Sequence, residues 1–133
     1  MALPVNYPLY QDTLCTTTNS IASTPLACAI RAPYSGTIDR IGAVSHGAFT
    51  TNCSVAVAII TSPAAGAAPG AGTAVTGSPM TLTASNSAAG TQTSMVPTGA
   101  NFVAEGDIIV FTPSGSTGTT IGATFTVSFR KAG

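Results

Sequence analysis

An all-β fold of about eight short strands, closed into a sandwich or barrel, is what this sequence predicts. Three observations point there. Apolar residues recur with a period of two, helical periodicity is nearly absent, and clusters of Gly, Pro, Ser and Asn break the runs at short intervals. With 133 residues the chain suits one domain, able to bury about two-thirds of the surface its unfolded form exposes. The expected division is an extended amino-terminal arm over residues 1–20 and a single β-domain over residues 21–133.

The arm comes first. Pro4 and Pro8 favour extended backbone, and Tyr7 and Tyr10 give it apolar bodies with polar tips. Strands are then expected at Leu26–Arg31 and Thr37–Val44. The next, Ser54–Ile60, sets Val55, Val57 and Ile59 against the smaller Ala56 and Ala58, so both faces are apolar. Such a run suits a strand covered by a second sheet inside and by a loop, arm or neighbouring subunit outside.

Residues 61–79, with Pro63, Pro69 and Pro79 among Ala, Gly and Thr, are too apolar for a solvated linker. They are also too rich in Gly and Pro for a helix. A long exposed loop and a loop ordered against a neighbour both fit. Met80–Ser85 alternates again, and Thr91–Val96 and Asn101–Ala104 are shorter strand candidates. Glu105-Gly106-Asp107 reads as a tight turn, with Gly106 free to take positive φ and Asp107 beside it. It leads into the continuous apolar run Ile108–Thr112. A polar loop over residues 113–122 precedes the clearest strand, Ala123–Arg130. There Phe125, Val127 and Phe129 face the core, while Thr124, Thr126, Ser128 and Arg130 face water.

Only 6% of the chain is charged, four Lys+Arg balancing four Asp+Glu. Ordinary soluble domains are about a quarter charged, so this surface must be built from Thr, Ser, Gly and Ala. That suits a building block of an extracellular or particle assembly. The whole basic inventory is Arg31, Arg40, Arg130 and Lys131, too dispersed for nucleic acid or an anionic membrane. The longest apolar stretch, Val55–Ile60, falls far short of the roughly 20 residues of a membrane-spanning helix. MALPVNYPLYQD has neither a basic start nor an apolar core of signal-peptide length, so general secretory export is not expected.

Chemistry-bearing residues are few. Cys15, Cys28 and Cys53 cannot all pair within one chain, and their spacing matches no zinc pattern. Small buried thiols in a reducing cytosol, or a Cys15–Cys28 bridge tying down the amino-terminal segment, both remain open. His46 is the sole histidine. A formal Ser-His-Asp set with Asp39 or Asp107 lacks the G-x-S-x-G elbow, so His46 reads as a loop or interface residue. Glu105 and Asp107 bring too few oxygens for calcium. There is no Trp, and Tyr7, Tyr10 and Tyr34 are not clustered, so nothing points to carbohydrate. No catalytic, cofactor-binding or metal-ligating set is expected.

Three segments carry a family resemblance: Ala32-Pro33-Tyr34-Ser35-Gly36-Thr37-Ile38, then Val103-Ala104-Glu105-Gly106-Asp107-Ile108-Ile109-Val110-Phe111, then Phe125–Arg130. They resemble the aPxxGTIxxI opening, the V-x-x-G-D-x-I-x-F middle and the basic-ended terminal strand of small structural proteins of tailed bacteriophages. The likeness spans residues 30–131 and leaves out the arm and the 61–79 segment. It implies a jelly-roll-like antiparallel β-sandwich and a non-enzymatic capsid decoration, or cement, protein on the outer surface of the virion, made in the host cytoplasm. The implied partners are the major capsid protein and further copies of the chain, as a homotrimer, with no cofactor.

Such a protein bridges capsomers by buried area, near ~800 Å² per partner in a standard interface, and gains avidity by repetition. Contacts with capsid or adjacent subunit are expected from Leu3, Pro4, Val5, Tyr7, Pro8 and Tyr10. Trimer contacts are expected on the outer faces of Val55–Ile60 or Ile108–Phe111. The alternative is a trimeric head-fibre or tail-fibre tip, an adhesin for a host surface glycan or protein.

Overall fold

Strict alternation, as in Phe125-Thr126-Val127-Ser128-Phe129, demands a sheet buried on one face only. The computed structural model, which describes residues 11–62 and 72–131, has two such sheets packed through their apolar faces. Among the described residues there are ten strands and no helix. They are β1 (Gln11–Thr18), β2 (Cys28–Arg31), β3 (Gly36–Ser45), β4 (Cys53–Ile60), β5 (Thr73–Ala74), β6 (Met80–Leu82), β7 (Gln92–Met95), β8 (Phe102–Val103), β9 (Ile108–Ser114) and β10 (Ala123–Lys131).

The first sheet has the order β1-β10-β3-β7, with β8 paired to the start of β3. The second has the order β2-β9-β4-β5, with β6 paired to the start of β4. All strand pairs are antiparallel. Two separate sheets make this a β-sandwich and not a barrel.

The core is filled by the inward residues of both sheets. Ile38, Ile41, Val55, Val57, Leu82, Ile109, Phe111, Phe125, Val127 and Phe129 are all fully buried. Phe111 of one sheet stacks on Phe125 of the other, ring centroids 4.7 Å apart and planes 4° from parallel. That contact crosses the space between sheets near its middle and fixes their spacing.

One edge of each sheet is a broken strand. β7 stops before Pro97, which has no N–H to give, and pairing with β3 resumes at β8. Opposite, β5 and β6 flank Gly77-Ser78-Pro79, where Ser78 Oγ accepts from Val57 N at 2.8 Å in place of a ladder carbonyl. The two breaks bind each other. Thr76 N donates to Gly99 O at 2.9 Å, and Thr98 N donates to Thr76 O at 3.1 Å. This edge of the sandwich is laced across both sheets.

Every strand expected from the sequence is present, with ends shifted by a few residues. β1 and β5 are additional. Residues 11–18, assigned to the arm by sequence, pair with β10 along their whole length, and Ser20, Ile21 and Ala22 are buried behind them. The described part of that segment therefore belongs to the sandwich. Leu3, Pro4, Val5, Tyr7, Pro8 and Tyr10 lie outside the described residues, as do residues 63–71 of the apolar loop.

Candidate functional site

Strand register carries the sparse charge of this chain to one end of the sandwich. Gln11, Arg130, Thr37 and Phe102 form one row across the first sheet. Arg31, Ile108 and Ile60 form the row of the second sheet at the same end. Asp12 follows Gln11, Lys131 follows Arg130, and Asp39 and Arg40 lie just along β3 from Thr37. Glu105 and Asp107 occupy the turn that feeds β9, also at this end. All four acidic and all four basic residues are thus gathered there, and the sequence from Ile41 to Ala104 contains none.

Many of these charges are neutralised locally. A bulge between Ser128 and Phe129 brings Asp39 beside Arg130, whose Nε donates to Asp39 Oδ2 at 3.1 Å. That hydrogen bond, and the carboxylate charge behind it, raise the Arg130 pKa further. Asp107 accepts from the backbone N–H groups of Ser62 and Ala104, each at 2.9 Å, and pins the turn in which Gly106 has φ +89°.

Tyr34 packs on Phe129 with centroids 5.1 Å apart, carries Lys131 over its ring at 5.6 Å, and donates its hydroxyl to Asp12. The hydrogen bond to Asp12, then burial and the Asp12 charge, push the Tyr34 hydroxyl up to about 12. A shallow hollow of about 250 Å³ between Ile59, Thr73, Ala100 and the exposed Phe102 also opens at this end.

The opposite end is built from the connections 19–27, 46–52, 83–91 and 115–122, and it holds no Lys, Arg, Asp or Glu. Its loops are tied to one another. Ile21 N donates to Ile121 O at 2.8 Å, and Ser116 Oγ to Thr51 O at 2.9 Å. Thr50 Oγ1 donates to Thr117 O at 2.8 Å. Phe49 and Ser85 exchange backbone hydrogen bonds at 3.0 and 3.2 Å, while Asn52 Oδ1 accepts from Ala84 N at 2.8 Å. Between these ties lies an open cleft of about 630 Å³, lined by Ala48, Phe49, Thr50, Ala84, Ser85, Asn86 and Thr119. The sequence did not reveal it, because its lining comes from three connections far apart along the chain.

The remaining residues singled out by sequence fall as follows. Phe125, Val127 and Phe129 are fully buried on the inner face of β10. Cys15 is exposed, Cys28 is half-buried and Cys53 is buried; all three are free thiols, so no Cys15–Cys28 bridge is formed. Burial pushes the thiols of Cys28 and Cys53 up. His46 is exposed beside β10, its Nε2 2.8 Å from Thr124 Oγ1. Asp39 and Asp107 are at the far end of the molecule, so no Ser-His-Asp set assembles around it. Among the described residues no group of three or more His, Cys, Asp or Glu could hold a metal ion, and no helix is long and apolar enough to cross a membrane. No known family model and no curated protein matches this chain.

Proposed function

We propose that the protein is a capsid decoration protein: a non-enzymatic virion component that sits on the outside of a phage head as a homotrimer and bridges capsomers. One observation carries the reading, the outer face of the second sheet. Ala29, Val110, Ala58 and Ala74 make one row across that face, and Ile108 lies in the next beside Ile60, which is already buried. A sheet with one face on a core normally turns polar residues outward. Here Ala29, Val110, Ala58, Ala74 and Ile108 make an apolar band toward one end of the face, with Arg31 at its margin and Ser54, Thr81, Thr112 and Ser114 farther along the strands. A neighbouring subunit on this band would gain apolar burial with the Arg31 charge at its edge.

The strand order supports a jelly roll within the sandwich. The first strand lies beside the last, and the second beside the last but one. The resemblance to phage structural proteins runs through β3, β9 and β10, strands that this order brings together in the two sheet centres.

Light scattering of the purified protein, followed by sedimentation with undecorated shells of the virus that encodes it, tests the reading. Three copies of 13.1 kDa give 3 × 13.1 = 39.3 kDa, the mass expected. Ala56→Glu places a charge on the exposed side of β4 and is expected to return the protein to 13.1 kDa with its fold intact. A monomer that sediments with shells would remove the trimer and keep the decoration. A protein that never sediments with them overturns the proposal.

A further inference from the structure

We infer that the cleft at the uncharged end of the sandwich is a binding site for a neutral oligosaccharide. Its volume of about 630 Å³ lies within the range of ligand sites, roughly 300–1,000 Å³. Ser85, Asn86 and Thr119 line it with hydroxyl and amide groups able to donate and to accept, as sugar hydroxyls require, while Thr50, whose proton goes to Thr117 O, can only accept. The Asn86 and Thr119 side chains have no hydrogen-bond partner among the described residues and stand free to take one. Ala48 and Ala84, over a floor formed by the buried Phe49, offer apolar surface for the C–H face of a pyranose ring.

Charge selects the ligand class. Arg40, the nearest charged residue along β3, precedes the strand end at Ser45 by five residues, roughly 17 Å of extended chain. A phosphate, sulfate or uronate would find no Lys or Arg in this half of the molecule, and an ammonium would find no carboxylate. A peptide is disfavoured as well. Phe49 and Ser85 already pair through their backbones, leaving no strand edge in the cleft to extend.

The cleft is also held in shape before any ligand arrives. Gly118 takes φ +111°, and a Cβ there would stand 2.8 Å from Thr50 Oγ1, so the 115–122 turn fits closely over the 46–52 connection. Thr50, Asn52 and Ser116 then tie the walls together by the hydrogen bonds given above. Little ordering is left to oppose binding. The inference does not depend on what the rest of the surface coats.

Amide NMR of the full chain tests it, with maltohexaose, cellopentaose and mannohexaose as neutral probes and oligogalacturonate and a heparin hexasaccharide as charged ones. Saturable shifts are expected with at least one neutral probe, confined to 48–50, 84–86 and 119, with no response to the charged ones. Asn86→Ala and Thr119→Ala, both exposed and outside the core, are each expected to weaken binding about five- to tenfold. Unchanged peaks elsewhere in the spectrum show that each variant is folded. No saturable shift with any neutral probe at tens of millimolar, an equal response to charged sugars, or unaltered affinity in both variants overturns the site. None of these results bears on whether shells are bound, so the two proposals fail separately.

Discussion

Phe111 and Phe125 touch face to face between the sheets, and Phe129 continues the same inner row toward Tyr34. Removing a ring there leaves a cavity bounded by two rigid sheets that cannot collapse into it. Phe125→Ala or Phe129→Ala is expected to cost about 3–5 kcal/mol, measured by chemical denaturation; a loss below about 1 kcal/mol would place that face outside the core. Tyr34 gives a pH signature. Its hydroxyl titrates near 12 in the fold against an ordinary value of 10.0, because the protonated form donates to Asp12. A raised folded value means this contribution is fully present below pH 10 and is lost as pH rises through about 12. Spectrophotometric titration should show a late tyrosine that is absent in Tyr34→Phe. Thiol labelling should separate the cysteines too: Cys15 reacts in the native state, whereas Cys53 reacts only after unfolding.

At the scale of elements, β1 is where sequence and structure part. QDTLCTTT offers one large apolar residue, Leu14, and Thr on both faces, so no alternation marks it as a strand. It is a strand because β10 presents an open ladder and because Leu14 needs to reach only the margin of the core. The two-residue β5 is equally silent, being set by β4 beside it and not by its own composition. By contrast, β4, β9 and β10 were legible because their inward residues are large and strictly spaced. The cleft was illegible for a different reason: its chemistry is ordinary Thr, Ser and Asn, and only the topology assembles it. These readings separate two truncations. Removal of residues 2–10 keeps every described strand and is expected to keep a cooperative melt while abolishing particle binding. Removal through Thr18 uncovers the edge of β10 and should abolish the cooperative transition itself.

At the scale of the molecule, the partition of charge governs behaviour in solution. Acids and bases balance at one end, and the ion pair Arg130–Asp39 is largely exposed on its arginine side. Such an exposed pair contributes little and is screened by salt. The melting temperature should therefore move by less than about 3 °C between 0.05 and 0.5 M NaCl. A larger shift would mean that the charges at that end act as a network. The same register has a mechanical side. Gln11 and Arg130 stand opposite each other in the ladder, so the described chain enters and leaves the sandwich on adjacent antiparallel strands at one end. Tension applied between those two points opens the β1–β10 ladder one bond at a time, because the bonds lie along the pull. Tension applied from that end to the loop end must instead shear whole strands past each other, and it also meets the lacing of Thr76 to Gly99. Held by one end alone the protein unzips; stretched between its ends it behaves as a rivet.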